Sequence, residues 1–104
     1  MIETHIELGV EAIVVPYAPN YMYPSSIHQD YFGASAPAMT KLFKEKGYRL
    51  IGSNGYGFNL IFMRDDEGTK YFPEIKVEEV LNHPRNTERM KMFNEINKLK
   101  YIYV

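Results

Sequence analysis

The chain begins with an alternation of apolar and polar residues. Residues 2–7 have the sequence IETHIE, and this period of two predicts a half-buried β-strand that Gly9 ends. A second short apolar run, AIVV at residues 12–15, is stopped by Pro16. The first part of the chain is therefore expected to be extended.

A helix is predicted between Ser35 and Gly47. Ser35 is a typical N-cap residue, Pro37 lies in the first turn where its missing N–H group costs nothing, and Gly47 suits the C′ position. Four apolar residues have the spacing that places them on one face of this helix: Ala36, Met39, Leu42 and Phe43.

Two strands are predicted next, over residues 48–52 and 58–63, joined by a turn at residues 53–57. The short turn requires antiparallel pairing. The second of these strands is apolar except at Asn59, which indicates a central strand covered on both faces. The crossover helix makes the first and second main strands parallel, so the third fits between them. We therefore predict an α/β fold, α+β by its size: a β-α-β-β unit whose mixed sheet has an antiparallel central strand.

The rest of the chain is predicted to add helices and a short strand to the same domain. Residues 71–73 are expected to be extended, residues 77–81 to be helical, Asn86 to cap a helix that continues to about Lys98, and residues 101–104 to form a terminal strand. Since no repeat or linker interrupts the sequence, residues 1–104 are interpreted as one domain.

Composition narrows the class of protein. The 104 residues carry a formal net charge of −1, with 45% apolar and 24% charged residues, which excludes wholesale disorder and provides no electrostatic field for a nucleic acid or an acidic membrane. The absence of cysteine excludes disulfides and thiolate chemistry. No apolar run suits a membrane-spanning helix, and the acidic start of the chain is unlike a secretory signal. We therefore expect a cytoplasmic protein without nucleic-acid or membrane partners.

Residues 16–32 are predicted to form a long loop rich in tyrosine. The loop contains Tyr17, Tyr21, Tyr23 and Tyr31. Loops of this length in compact domains are usually functional or ordered by their own side chains. Two interpretations stay open: the tyrosines pack on the sheet with their hydroxyl groups in water, or they line a pocket for a small-molecule ligand.

Histidines and carboxylates near this loop are candidate ligands. Glu3 and His5 are two residues apart on a predicted strand and so project to the same side, while His28 and Asp30 have an H-x-D spacing. Together the four side chains match a two-histidine, two-carboxylate site for a divalent metal ion. The alternative is that the first pair lies on a solvated strand edge and the second pair belongs to a polar loop.

Other charged residues are interpreted as structural. His83 precedes Pro84 and is expected to stop a helix. A small basic group is expected to form a solvated face rather than a nucleic-acid site; its members are Lys41, Lys44, Lys46 and Arg49.

Several segments resemble one family. In chain order they are IET at residues 2–4, VPY at 15–17, YFGAS at 31–35, KGYRLIG at 46–52, GFN at 57–59, FMRDD at 62–66 and the region 72–84. They are similar to the C-terminal part of FkbM-like S-adenosylmethionine-dependent methyltransferases. The resemblance implies the last helix and last strands of a Rossmann-like sheet, so the chain corresponds to the C-terminal third of that catalytic domain.

The resemblance also implies that the cofactor-binding part is not in this sequence. In such enzymes S-adenosylmethionine binds at the carboxyl ends of earlier strands, on a glycine-rich turn followed by a helix. Here the glycine-rich residues 52–57 join two antiparallel strands, so they are expected to serve turn geometry. We therefore expect no cofactor and no methyl transfer by this chain alone.

Candidate substrate-binding residues follow from position in the family. Glu3 would end a strand at the rim of the active site, and the tyrosine-rich loop would follow it. The candidates are Glu3, His5, Tyr23, His28, Asp30 and Tyr31.

Without its neighbouring strands the first strand presents an exposed edge, so a homodimer is expected. The alternative functions are a small homodimeric binding module that uses residues 16–32 as a ligand pocket, and a metal-dependent enzyme built on the four candidate ligands.

Overall fold

The protein has mixed α and β structure. A computed structural model describes residues 1–17, 28, 30–55 and 57–104. Its strands are β1 (Ile2–Glu3), β2 (Ile13–Val14), β3 (Tyr48–Ser53), β4 (Asn59–Arg64) and β5 (Ile102–Tyr103), and its helices are α1 (Ala36–Glu45), α2 (Val77–Leu81), α3 (Pro84–Met90) and α4 (Phe93–Ile96), with a 3₁₀ turn at Ile6–Leu8. No helix in these ranges is long and apolar enough to cross a membrane.

The larger sheet has the strand order β1-β4-β3. β4 is antiparallel to both neighbours, with Glu3 opposite Asn59 and Leu50 opposite Phe62. The central position that the apolar pattern predicts for this strand is therefore observed, and β1 and β3 run in the same direction on either side of it. The expected cover on both faces is not complete, since Leu60 is buried while most of β4 is half-buried.

The strand predicted over residues 2–7 is wrong beyond Glu3. The chain turns instead at Ile6–Leu8, where Leu8 N–H donates to the His5 carbonyl at 3.1 Å and Gly9 N–H to the Ile6 carbonyl at 3.0 Å. Gly9 ends the turn with a φ of 80°, which glycine adopts without strain. The turn lets Ile6 and Leu8 enter two different cores, which a continuing strand on one sheet face would not do.

The apolar residues 12–15 contribute to a second, two-stranded sheet. Ile13 lies opposite Tyr103 and Val14 opposite Ile102, in antiparallel register. Val104 N–H extends the pairing by donating to the Ala12 carbonyl at 2.9 Å. The terminal strand was predicted, but its partner lies far away in sequence, so no local pattern indicates it.

The helix predicted after Ser35 is confirmed. The Ser35 hydroxyl accepts a hydrogen bond from Ala38 N–H at 3.3 Å and another from Ile13 N–H at 3.1 Å, and it donates to the Glu11 carbonyl at 2.7 Å. Gly47 follows the helix with a φ of 85°. Ser35 therefore caps α1 and also fixes the helix to the segment before β2.

Two apolar cores support the described chain. The first contains Ile6, Ala36, Leu50, Leu60, Val80 and Leu81, and the second contains Leu8, Ile13 and Ile96.

The helix at 77–81 is confirmed, whereas the single helix predicted from Asn86 to Lys98 is wrong because the chain breaks into α3 and α4. Met90 packs on the first core and Phe93 on the second, so the break coincides with the passage between cores. The extended structure expected for residues 71–73 is wrong at its start, because Tyr71 and Phe72 lie in a turn in which their N–H groups donate to the Gly68 carbonyl at 3.0 and 2.9 Å.

Candidate functional site

Two cavities open where β1 and β3 end. Both strands finish beside the first residues of β4, since Glu3 lies opposite Asn59 and Ser53 opposite Leu60. The His5 cavity, of about 140 Å³, is lined by Glu3, Thr4, His5, Phe32, Gly33 and Ala34. The Asn86 cleft, of about 270 Å³, is lined by Ser53, Asn54, Gly55, Gly57, Ile75, Glu79, Val80, His83 and Asn86. The carboxyl edge of the sheet, where α/β sheets bind ligands, is therefore concave here.

His5 has both ring nitrogens beside protein oxygens. Nε2 lies 2.8 Å from the Asp30 carbonyl oxygen and Nδ1 lies 3.2 Å from the Glu7 carboxylate. The ring also packs on Phe32, with ring centroids 4.1 Å apart. Glu3 and His5 line the same cavity, in agreement with the prediction that they project to the same side. The two ring nitrogens of His5, however, contact Asp30 and Glu7 and so connect residue 30 to the turn after β1.

His28 connects the end of the tyrosine-rich loop to α4. Asp30 N–H donates to His28 Nδ1 at 3.1 Å, so the neutral ring carries its hydrogen on Nε2. That nitrogen lies 2.9 Å from the Glu95 carboxylate. Sequence reasoning missed Glu95, because its helical position indicates only a solvent-facing side chain.

The described residues do not form the four-ligand metal site that the sequence left open as one alternative. In the described ranges, which include Glu3, His5, His28 and Asp30, no three histidine or carboxylate side chains are placed to hold a metal ion. His28 contacts Glu95, while His5 contacts Glu7 and a main-chain oxygen. In the described ranges these four side chains are therefore not arranged as the hypothesised two-histidine, two-carboxylate site.

The described tyrosines of the loop have different environments. Tyr31 is buried, donates its hydroxyl hydrogen to the Lys100 carbonyl and packs edge-on against Tyr101 at 5.5 Å between ring centroids. Burial raises the pKa of Tyr101 to about 12, with smaller contributions from Tyr31 and Tyr103. Tyr17 is 89% exposed. Residues 18–27, which contain the predicted ligand residue Tyr23, lie outside the described residues.

Arg49 does not belong to a solvated basic face. It is only 6% exposed, and its guanidinium donates to the carbonyl oxygens of Phe72 at 3.0 Å, Arg64 at 2.5 Å and Glu67 at 2.6 Å. The interpretation of Arg49 as part of that face is therefore wrong, since this residue points inward from β3 and holds the turn after β4.

The Asn86 cleft was not recognised from the sequence. Asn86 was expected to cap a helix, but the cap of α3 is His83, whose Nδ1 accepts from Arg85 N–H at 3.2 Å. Asn86 lies inside the helix and is 2% exposed. Its Nδ2 group donates to the Val80 carbonyl at 2.7 Å, and its Oδ1 atom has no hydrogen-bond partner among the residues that the structure describes.

Gly57 makes room for the Asn86 amide. A Cβ atom at position 57 would lie 2.2 Å from Asn86 Nδ2, and the φ of Gly57 is 80°. The glycine-rich turn therefore serves backbone geometry, as expected, and it also forms one wall of the cleft. A glycine that follows a turn and precedes a central strand is the sequence signal for such a close approach.

Comparison with known protein families, curated proteins and solved structures finds no match to this chain. The features of the described chain that bear on function are the order of the larger sheet and the two cavities at its carboxyl edge.

Proposed function

We propose that the chain is the closing β-α-β-β unit of a Rossmann-like sheet of the FkbM-like methyltransferase type. The observation that carries this proposal is the strand order β1-β4-β3, in which β1 and β3 run in the same direction and β4 lies antiparallel between them. α1 lies between β1 and β3 in sequence, as a crossover helix does. The 3₁₀ turn and β2 are additions to the simple unit.

On this proposal the chain contributes an acceptor-side surface and does not bind S-adenosylmethionine by itself. The turn at 53–57 closes on itself, because Gly57 N–H donates to the Asn54 carbonyl at 3.0 Å, and it leads into β4 rather than a helix. A pyrophosphate or nucleoside site of the Rossmann type uses the free N–H groups of a helix N-terminus after such a turn. On this proposal, the glycine-rich turn followed by a helix belongs to a segment of the fold other than residues 1–104.

Calorimetric titration of the chain with S-adenosylmethionine tests this proposal. We expect no saturable heat. A second titration uses the chain extended by any in-frame upstream segment that encodes a strand and a glycine-rich turn, and we expect saturable binding there. Micromolar binding by the chain of residues 1–104 alone would contradict the proposal.

A homodimeric binding module is a second candidate, favoured by apolar surface between α1 and the C-terminal residues. Leu42 is 41% exposed and Val104 is 47% exposed. They lie in a groove of about 270 Å³ whose lining is Val14, Ala38, Met39, Lys41, Leu42, Glu45 and Val104. A second copy of the chain would cover this surface from water.

Sedimentation velocity at micromolar concentrations tests the dimer. We expect a dimer for the native chain and a monomer for Leu42→Lys, because a charge in the groove opposes burial. Val10→Lys is the control, since Val10 is also apolar and exposed but does not line the groove. A monomeric native chain would contradict the second candidate and also the dimer expected from the exposed edge of the first strand, but not the strand order that carries the first candidate.

A further inference from the structure

We propose that Asn54 is a site of spontaneous covalent modification, at which the side-chain amide is lost as ammonia and the residue becomes aspartate or isoaspartate. The proposal does not depend on the methyltransferase relationship or on the dimer, because it rests on the chemistry of the turn at residues 53–57. Asn54 and Gly55 lie in this turn, directly after β3. Asn54 also lines the Asn86 cleft, so its modification changes a cavity at the carboxyl edge of the sheet.

The residue that follows Asn54 is the first observation. In this reaction the main-chain nitrogen of the following residue attacks the side-chain carbonyl carbon of asparagine, and a side chain on that residue hinders the approach. Glycine has no Cβ and adopts a wide range of main-chain angles, so it leaves the nitrogen most accessible. Asn54 precedes Gly55, whereas each of the other asparagines in the chain precedes a residue with a side chain. The sequence therefore distinguishes Asn54 from the other asparagines.

The structure leaves the attacking nitrogen accessible. Gly55 is exposed, and a Cβ atom built on it would have no atom within 4 Å. The Gly55 N–H group donates to no acceptor among the residues that the structure describes. Removal of this proton by a base therefore breaks no hydrogen bond within the described part of the chain.

The carbonyl group under attack is oriented by a main-chain donor. Asn54 Oδ1 accepts from Asn59 N–H at 3.2 Å, and because the donor is a main-chain N–H group, the oxygen end of the amide must face it. The main chain of Asn54 is also held, since its N–H group donates to the Asn59 carbonyl and its carbonyl accepts from Gly57 N–H, both at 3.0 Å. The negative charge that develops on Oδ1 during the attack is therefore met by a donor that is already in place.

The reaction balances with water as the co-reactant. The Gly55 nitrogen gives up its proton to water or hydroxide and forms a bond to Asn54 Cγ, while the bond from Cγ to Nδ2 breaks and ammonia leaves with a proton from the solvent. The five-membered imide then takes up one water molecule. Cleavage between the Gly55 nitrogen and Cγ gives aspartate. Cleavage between the Gly55 nitrogen and the main-chain carbonyl carbon of Asn54 gives isoaspartate, in which the main chain passes through Cγ.

Both products change the turn. Aspartate places a carboxylate in the Asn86 cleft, whose described lining residues already include Glu79 and contain no lysine or arginine. Isoaspartate adds one carbon atom to the main chain, so the N–H and carbonyl groups at position 54 cannot both keep their present partners on Asn59 and Gly57. We therefore expect isoaspartate to weaken the pairing where β3 ends and β4 begins.

Peptide mapping by liquid chromatography and mass spectrometry tests the proposal on the native chain after incubation at neutral pH. A synthetic peptide of residues 50–60 in the same buffer is the reference. We expect aspartate and isoaspartate to form at Asn54 faster than at any other asparagine, at a rate within about tenfold of the peptide rate, since the nitrogen and the carbonyl group stay free to react in the fold. A lower rate than this in the native chain, or a rate at another asparagine that equals the rate at Asn54, would overturn the proposal.

Two matched glycine variants test the role of the nitrogen. Gly55→Ala puts a methyl group beside the attacking atom, and we expect the rate at Asn54 to fall at least about tenfold. Gly52→Ala is the control, because an added Cβ has open space at both positions and Gly52 does not follow an asparagine. Equal rates in Gly55→Ala and the native chain would contradict the assigned attack.

The effect on the fold is measured by nuclear magnetic resonance of the converted chain. The amide signals of Gly57 and Asn59 should shift, because both N–H groups donate to Asn54. Converted protein in which both amide signals keep their native positions would contradict the expected change of the turn.

Discussion

Buried polar side chains in the described ranges share one role: they donate to main-chain carbonyl groups. These residues are Thr4, Ser35, Arg49 and Asn86, which donate to Phe58, Glu11, several residues after β4 and Val80, respectively. Each bond joins segments that are separated in sequence. Single residues of this kind join separate segments of the fold, and their substitution is expected to have measurable effects on stability.

Gly57→Ala is expected to destabilise the protein by more than the roughly 1–2 kcal/mol of a left-handed alanine. The reason is that the new Cβ would overlap the Asn86 amide in addition to the strain of a positive φ. At Gly47 the φ is also positive, but an added Cβ would have no atom within 4 Å. At Gly55 the φ is not positive and an added Cβ would also have no atom within 4 Å. Urea unfolding should rank the losses 57, 47, 55, and equal losses at 57 and 47 would show that the close approach is absent.

Tyr101 makes the stability of the folded protein depend on pH in the alkaline range. Its hydroxyl donates to the Ile96 carbonyl at 2.9 Å, and burial raises its pKa to about 12. The unfolded chain loses this proton near pH 10 while the folded chain keeps it, so the stabilisation is complete below pH 10 and declines as the pH rises to about 12.

We therefore expect the stability difference between the native chain and Tyr101→Phe to shrink between pH 9 and pH 12, as measured by urea unfolding. At pH 9 the variant should be less stable by about 1 kcal/mol because it lacks one hydrogen bond. Tyr71→Phe is the control, since Tyr71 is exposed. A difference that stays constant with pH would contradict the assigned pKa.

At the scale of the elements, α1 depends on Ser35. The Ser35→Ala substitution removes the cap and leaves Ile13 N–H without its acceptor, so we expect a loss of about 1–3 kcal/mol. Thr87→Ala removes an exposed hydroxyl that donates to Pro84 and should cost no more than about 0.5 kcal/mol. Chemical unfolding compares the two variants, and equal small losses would show that Ser35 does not connect α1 to β2.

The turn after β4 depends on Arg49. Lysine cannot make the several directed hydrogen bonds of the guanidinium group, so Arg49→Lys should destabilise the protein by about 2–3 kcal/mol and increase proteolytic cleavage at residues 65–72. Arg64→Lys, whose side chain forms an exposed ion pair with Asp66, should change stability by about 0–1 kcal/mol. Unchanged cleavage in Arg49→Lys would contradict this role.

Local signals predict the elements well where the sequence carries them. The cap at Ser35, the glycine at 47 and the apolar run of β4 predict α1 and the order of the larger sheet. The period of two at residues 2–7 predicts the alternation of burial but not the 3₁₀ turn, because Ile6 and Leu8 serve different cores. The break between α3 and α4 and the β2–β5 pairing depend on contacts that are distant in sequence.

The candidate site was predicted only in part, for the same reason. Glu3 and His5 line one cavity, as their spacing indicates, but the partners of His5 and His28 are set by the fold. The Asn86 cleft depends on a single glycine that approaches a helix remote in sequence. A helical asparagine in the sequence therefore gives no indication that its oxygen is unpaired.

At the scale of the whole molecule, the described residues form two apolar cores. The first core lies under the larger sheet, α1 and α2, and the second joins the 3₁₀ turn, β2 and α4. Both cavities open where β1 and β3 end, and the proposed relationship requires this common edge. β1 contributes only Ile2 and Glu3 to the sheet. The proposed β-α-β-β unit therefore depends most on the pairing of β1 with β4.

Nuclear Overhauser effects between Hα protons test that pairing directly. Thr4 N–H donates to Phe58 at 2.7 Å and Asp65 N–H to Gly47 at 3.0 Å, so Glu3–Asn59 and Tyr48–Arg64 are non-hydrogen-bonded pairs in which the Hα protons approach closely. We expect both signals in the native chain, because β4 lies between β1 and β3. A Tyr48–Arg64 signal without a Glu3–Asn59 signal would contradict the central position of β4.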